Sequence, residues 1–287
     1  MSKNAYMLTV DVLKEIDRYR GTNNTLTHEG IGNFLSAVGN LITKGYRNIL
    51  LKVDEMVDLI RFIKIDQFMK DLRKERFKIK DIQNKLEFYK IEDLKVPTVP
   101  GLRTDLLGAI GVVGGLTQIC NTQTLANIDR LDTTVSNFIS DPEFGTSSRP
   151  YVPDPDVQNY VEELREKMAT LIDTNNPVEE TTANKLIANL SSLSIIYNQL
   201  EDIAKTFRAN YLEDVNKKYK ILKSKTEKLV SVLSNKSEVS KASIQQLSDE
   251  FYTAAELLTL TISVHYLYSQ LLMVTTNLII RLHSQIQ

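Results

Sequence analysis

The chain has 287 residues with 35 basic and 36 acidic side chains, a formal net charge of -1 and 42% hydrophobic content. This can fill one large core or two modest ones, and it excludes a global electrostatic pull toward nucleic acid or anionic lipid. Eleven glycines and seven prolines are few for this length, which favours helices over a β-sandwich, and the single cysteine, Cys120, excludes an internal disulfide framework and fits a reducing compartment.

In chain order, Leu8, Val12, Leu13 and Ile16 recur at helical spacing and predict a short amphipathic helix over Met7–Tyr19. The opening residues lack the continuous apolar run of a signal peptide, so synthesis inside the cell is expected. Gly21-Thr-Asn-Asn is read as a break. Thr27 is a candidate cap for a second helix through Ile31, Phe34, Leu35, Val38, Leu41 and Ile42. Gly30, Gly32, Gly39 and Gly45 fit close packing there, each glycine costing about 1 kcal/mol against alanine in a helix interior. An interfacial membrane helix is the alternative, but a strong cationic face is missing.

A third helix is expected over Tyr46–Arg76, with Leu50, Val53, Val57, Ile60, Ile63 and Phe68 as its buried stripe. The alternating runs Phe77–Lys80 and Leu86–Ile91 predict a small hairpin or extended arms. Lys95-Val-Pro-Thr-Val-Pro-Gly forbids a continuing helix and is taken as the main boundary.

Beyond it, Thr104 is a candidate cap for a long helix starting Asp105-Leu-Leu-Gly and ending at Asp141-Pro142. The glycines of LLGAIGVVGGL are expected to let a neighbour approach, the segment being too short to span a bilayer. Glu143–Pro155 reads as a loop. Helices are then expected at Asp156–Asp173, Val178–Arg208, Tyr211–Leu233 and Ser240–Leu282. Between Glu256 and Arg281 there is no charged residue, which is enough apolar length for a membrane span of about 20 residues. His265, Gln270, Asn277 and scattered Ser and Thr favour a buried central helix instead.

The expected fold class is therefore mainly α. It comprises an N-terminal helical region at 1–95 with short extended arms, a Pro/Gly linker at 96–103, and an elongated antiparallel helical bundle with coiled-coil-like contacts at 104–287.

Chemistry-bearing motifs are scarce. His28, His265 and His283 are the only histidines and lack metal-ligand spacing, with His265 expected to be a hydrogen-bonded core residue. No nucleophile motif or phosphate loop occurs, so no catalytic residue, metal or cofactor is assigned and an enzyme is not expected. Two basic clusters stand out: Lys70, Arg73, Lys74, Arg76, Lys78 and Lys80, interrupted by Asp71 and Glu75, and then Lys217, Lys218, Lys220, Lys223, Lys225 and Lys228. The second has the sustained excess that non-specific DNA or an acidic partner would need; a solvated helix face is the plainer reading of both.

Three stretches carry a resemblance: Asp54-Glu-Met-Val-Asp-Leu-Ile-Arg, Lys90-Ile-Glu-Asp-Leu-Lys-Val-Pro-Thr-Val-Pro-Gly-Leu, and a long helix ending Asn137-Phe-Ile-Ser-Asp-Pro. Their layout over Leu50–Pro142 resembles internal or structural virion proteins of large tailed bacteriophages, and it transfers no functional residue. The resemblance implies a non-enzymatic virion component, made in the host cytoplasm, that contacts other virion proteins or copies of itself. Some such proteins are trimmed after glutamate, and Thr27-His28-Glu29-Gly30 is similar to such a cut site. The alternatives are a membrane-associated helical protein using 257–280 or 106–116, and an intracellular helical adaptor.

Overall fold

The computed structural model describes residues 5–26, 45–152, 156–175, 177–207, 211–235 and 239–286. The chain is mainly α, as its composition implied. Its elements are α1 (Ala5–Leu26), α2 (45–57), α3 (Ile65–Lys85), β1 (Lys95–Pro97), α4 (Leu106–Ser140), α5 (Asp156–Leu171), β2 (Glu180–Thr182), α6 (Ala183–Leu186), α7 (Ser192–Thr206), α8 (Tyr211–Asn235) and α9 (Lys241–His283). Short 3-10 turns occupy Asp58–Phe62 and Phe88–Ile91.

By contact the chain forms two compact units. The first gathers Met1–Asp58, Asn121–Glu162 and Asn210–Ile262; the second gathers Leu59–Cys120, Glu163–Ala209 and Ser263–Gln287. The division does not fall at 96–103. Instead α4, α5 and α9 each give part of their length to one unit and the rest to the other.

In the first unit α9 supplies Ile244, Leu247, Phe251, Leu258 and Ile262 to the buried core, as do Ile16 of α1, Ile49 and Val53 of α2, Leu131 and Val135 of α4, and Leu222 of α8. Tyr46 stacks on Phe251 with centroids 4.1 Å apart, and its hydroxyl donates to Ser248 Oγ at 3.1 Å. Helix α1 continues through Gly21–Asn24 rather than breaking there. A few weak helix formers cost about 1 kcal/mol each or less and do not by themselves end a helix. The second helix expected from Thr27, and the Glu29–Gly30 bond, lie outside the described residues.

In the second unit α3 packs along α7: Gln83 Nε2 donates to Leu190 O at 3.1 Å, and Arg73 Nε donates to Glu201 at 3.1 Å. The expected helix over Tyr46–Arg76 is instead two helices separated at 58–64. Of the stripe predicted for it only Leu50 and Val53 are buried, joined by Ile49, Met56, Met69 and Leu72. Phe77–Lys80 is helical, not extended: it lies within α3, whose buried positions are Met69, Leu72, Ile79 and Ile82. That helical period outweighs the local alternation. In the expected arm Leu86–Ile91 only Leu86 and Glu87 are extended, and Phe88–Ile91 forms a 3-10 turn.

The Pro/Gly segment is not a free linker. Lys95–Pro97 pairs antiparallel with Glu180–Thr182, Lys95 opposite Thr182. Arg103 N–H donates to Leu171 O, and Asp173 N–H to Gly101 O at 2.7 Å. Gly101 has φ 75°, and a Cβ there would lie 2.2 Å from Asp173 O, so glycine is required by both conformation and space. This pairing also displaces the helix expected from Val178. Residues 180–182 are strand, and only Ala183–Leu186 and Ser192–Thr206 are helical. Asn189 Oδ1 accepts from Ser192 N–H at 3.0 Å and starts α7.

At the start of α4, Asp105 rather than Thr104 supplies the cap, its Oδ1 accepting from Gly108 N–H at 2.8 Å. Among the described residues, only Gly114 of the α4 glycines lies against another helix, Ile203 being 3.4 Å from where a Cβ would sit; a Cβ at Gly111 or Gly115 would meet none of them within 4 Å. The glycine row is therefore not a continuous packing seam.

Helix α9 is buried at every position from Phe251 to His265. It is the one helix among the described residues long and apolar enough to cross a membrane, and 83% of its most apolar stretch is buried inside the protein. Two of its buried hydroxyls are bonded within the protein: Thr259 donates to Ala255 O at 2.7 Å, and Thr261 pairs with Thr124 at 2.6 Å.

Candidate lysine site on helix α8

Helix α8 buries Tyr211, Val215, Tyr219, Leu222, Thr226 and Leu229, a stripe at steps of three and four that fixes one face toward the first unit's core. At 100° per residue, the six lysines of this helix fall into two groups around that stripe. Lys218, Lys223 and Lys225 flank it. Lys217, Lys220 and Lys228 point away from it and are exposed.

The flanking group is tied across to neighbouring helices. Lys218 pairs with Asp129, and Lys225 Nζ lies 2.7 Å from Asp132 and 3.1 Å from Ser136 Oγ, all three partners on α4. On the other side Lys223 pairs with Asp54 of α2 at 2.5 Å. The Tyr219 hydroxyl donates toward Asp54 at 3.0 Å and Leu50 O at 3.2 Å. Burial, reinforced by the charge of Asp54, holds the Tyr219 phenol far above its ordinary pKa, so it stays a donor. Among the described residues Lys217 reaches only Asp214 of its own helix, at 3.6 Å. Lys220 and Lys228 make no ion pair among the described residues.

A cleft of ≈ 490 Å³ lies beside the Lys223 joint, lined by Tyr46, Arg47, Leu50, Leu51, Thr226 and Glu227. Deeper in the same unit two acids of α9 meet arginines. Glu250 pairs with Arg130 at 2.9 Å and accepts from the Tyr151 hydroxyl; Glu256 pairs with Arg20 at 2.8 Å. Burial raises the Glu250 carboxyl above its ordinary range, opposed by Arg130. Asp249 is raised by burial too, opposed by its Gln245 bond and by Arg20.

The second unit has a polar cleft of ≈ 520 Å³ where β1 leads into α4, with Arg103, Asp105, Asp173 and Lys185 on its walls. Arg103 and Asp173 are 3.4 Å apart, so much of its charge is internally matched. His265 is buried edge-on to Phe207, centroids 4.7 Å apart, and His283 lies 3.8 Å from Asp81; His28 is outside the described residues. Among the described residues no three metal-ligating side chains come together.

Sequence reasoning found the lysines and missed their partners Asp54, Asp129 and Asp132, which lie far away along the chain. It also missed Arg20, Arg130 and Tyr151. One signal was present: Glu250 and Glu256 sit at the edge of a long charge-free run, where a buried acid requires a cation. Comparison with protein-family models, with curated proteins and with solved structures finds no match for this chain.

Proposed function

We propose that this chain is a non-enzymatic structural protein of a tailed-phage virion, made in the host cytoplasm. It acts through helical contacts with other virion proteins or with copies of itself. The observation that carries the structural role is the use of charge. Lys218, Lys223, Lys225, Arg130 and Arg20 pair across helices with acids instead of converging on a substrate. Such joints favour one arrangement of helices over slipped alternatives. The phage setting rests on the layout of Leu50–Pro142. Mass spectrometry of extensively purified particles, with cell lysate as control, tests it: stoichiometric recovery supports it, and recovery from lysate alone overturns it.

A second reading is favoured by the outward face of α8. Lys217, Lys220 and Lys228 are exposed on one side, where they are free to contact phosphates without reading sequence. Changing these three to Gln should weaken salt-sensitive DNA retention, whereas retention unchanged by all three leaves them a solvated face. Membrane association through α9 is the less favoured reading, because the helix is buried. Flotation with liposomes would revive it.

A further inference from the structure

We infer that the solvent face of α3 is a binding surface for single-stranded nucleic acid, distinct from the lysine face of α8. Helix α3 turns its apolar residues Met69, Leu72, Ile79 and Ile82 inward. At 100° per residue, Lys70, Arg73, Lys74, Phe77 and Lys80 then share the outward face, within about a quarter-turn to either side of Phe77. Phe77 is 67% exposed, the most exposed aromatic among the described residues. A bare ring gains nothing from water, and this one is framed by four cations, with two acids on the same face: Asp81, paired with Lys85 at 3.8 Å, and Asp66 at the far end of the helix. Lys70 to Lys80 covers about 15 Å of helix axis at 1.5 Å per residue, room for a short stretch of one strand.

Charge complementarity selects the partner. Lys70 and Lys80 make no ion pair among the described residues. Lys74 pairs with Asp71 at 2.7 Å and Arg73 with Glu201 at 3.1 Å, both at exposed positions. Exposed pairs of this kind are weak and exchange readily for a phosphate. Duplex DNA offers phosphates but keeps its bases stacked inside, leaving Phe77 without a role. A single strand offers both: phosphates for the cations and a base face for the ring, the pairing used by sequence-tolerant single-strand binders. An anionic bilayer would also meet the cations. However, an interfacial helix inserts a broad apolar face, and that face of α3 is turned into the protein.

The chain contains no tryptophan, so Phe77→Trp creates a single fluorescent reporter at the proposed contact. With the full-length chain we expect a poly-dT oligonucleotide to quench this fluorescence, as stacking requires. Phe77→Ala should weaken poly-dT binding about tenfold. The pair Lys70→Gln and Lys80→Gln should lower the slope of log affinity against log salt by about 1.4, or about 0.7 per lysine. Far-ultraviolet circular dichroism should be unchanged in every variant, since all three positions are exposed. Four results would overturn the inference: no response to poly-dT; duplex bound as tightly as single strand with Phe77→Ala indifferent; a blue shift with phosphatidylserine vesicles in place of quenching by poly-dT; or poly-dT binding lost through Lys217, Lys220 and Lys228 while Phe77 and Lys70 are indifferent. The last would assign the binding to α8.

Discussion

Tyr151 donates its hydroxyl proton to Glu250, a carboxylate only 4% exposed that also accepts from Arg130. One side chain of α9 thereby ties down both α4 and the loop that follows it. The same loop is held by Tyr151 N–H donating to Ser243 Oγ at 3.1 Å and by the edge-on rings of Phe138 and Phe144. Tyr151→Phe should cost about 1.5–3 kcal/mol, the range for a hydrogen bond to a charged group. Urea unfolding measures it, and a loss below about 0.5 kcal/mol would show that the ring contacts alone hold the loop.

Glu250 also sets a pH dependence. Its native pKa lies above the ordinary 4.5 because it is buried. The native state therefore binds its proton more tightly than the unfolded state does. The resulting stabilisation is fully present below pH 4.5 and is lost as the pH rises through the raised native value. Glu250→Gln should remove that component and flatten the stability profile in this window, leaving the share of Asp249, which has the same sign. An identical slope in wild type and variant would contradict the assignment.

Arg20 and Glu256 form the more enclosed pair, with the carboxylate fully buried. Arg20→Met withdraws the guanidinium from a charge that water cannot reach, and a loss of about 3–5 kcal/mol is expected. A change within about 1 kcal/mol would mean that the remaining surroundings of Glu256 compensate.

The lysines of α8 should divide by stability as they do by geometry. Breaking the Lys223–Asp54 joint by Asp54→Ala also removes an acceptor of Tyr219 and should cost about 1–3 kcal/mol. Lys217→Gln, on the outward face, should stay within about 0.5 kcal/mol of wild type. Equal effects at the two positions would remove the distinction between joint and surface.

Gly101→Ala should be among the most damaging small substitutions in the second unit. It forces alanine to φ 75° and drives a methyl into Asp173 O. The backbone conformation alone is worth about 1–3 kcal/mol, and a fall in Tm with the same far-ultraviolet spectrum is the expected reading.

Long elements with a sustained apolar period were legible in the sequence. The ends of α4, α5, α8 and α9 fall within a few residues of expectation because each carries its own stripe and its own stop, such as Asp141-Pro142. The failures share a cause. Residues 180–182 became strand because a distant segment, Lys95–Pro97, offered pairing, and no local pattern records that. Phe77–Lys80 alternates over too few residues to distinguish periods of 2 and 3.6, and the buried pair Ile79 and Ile82 decides for helix. Likewise, six lysines can be counted along a chain, but which three meet an aspartate of another helix depends on how α2 and α4 lie beside α8.

The passage of α4, α5 and α9 through both units has a consequence for synthesis. Neither unit is a continuous length of chain, and each includes part of α9. Neither core can close until the ribosome has delivered the C-terminal helix, on the order of tens of seconds after initiation at typical elongation rates. Until then α1, α2 and α4 wait without the helix that Arg20, Tyr46 and Thr124 bond to. The nascent chain is thus a natural client for chaperones that shield apolar surface, and truncation before α9 yields a product with no complete core to fall back on.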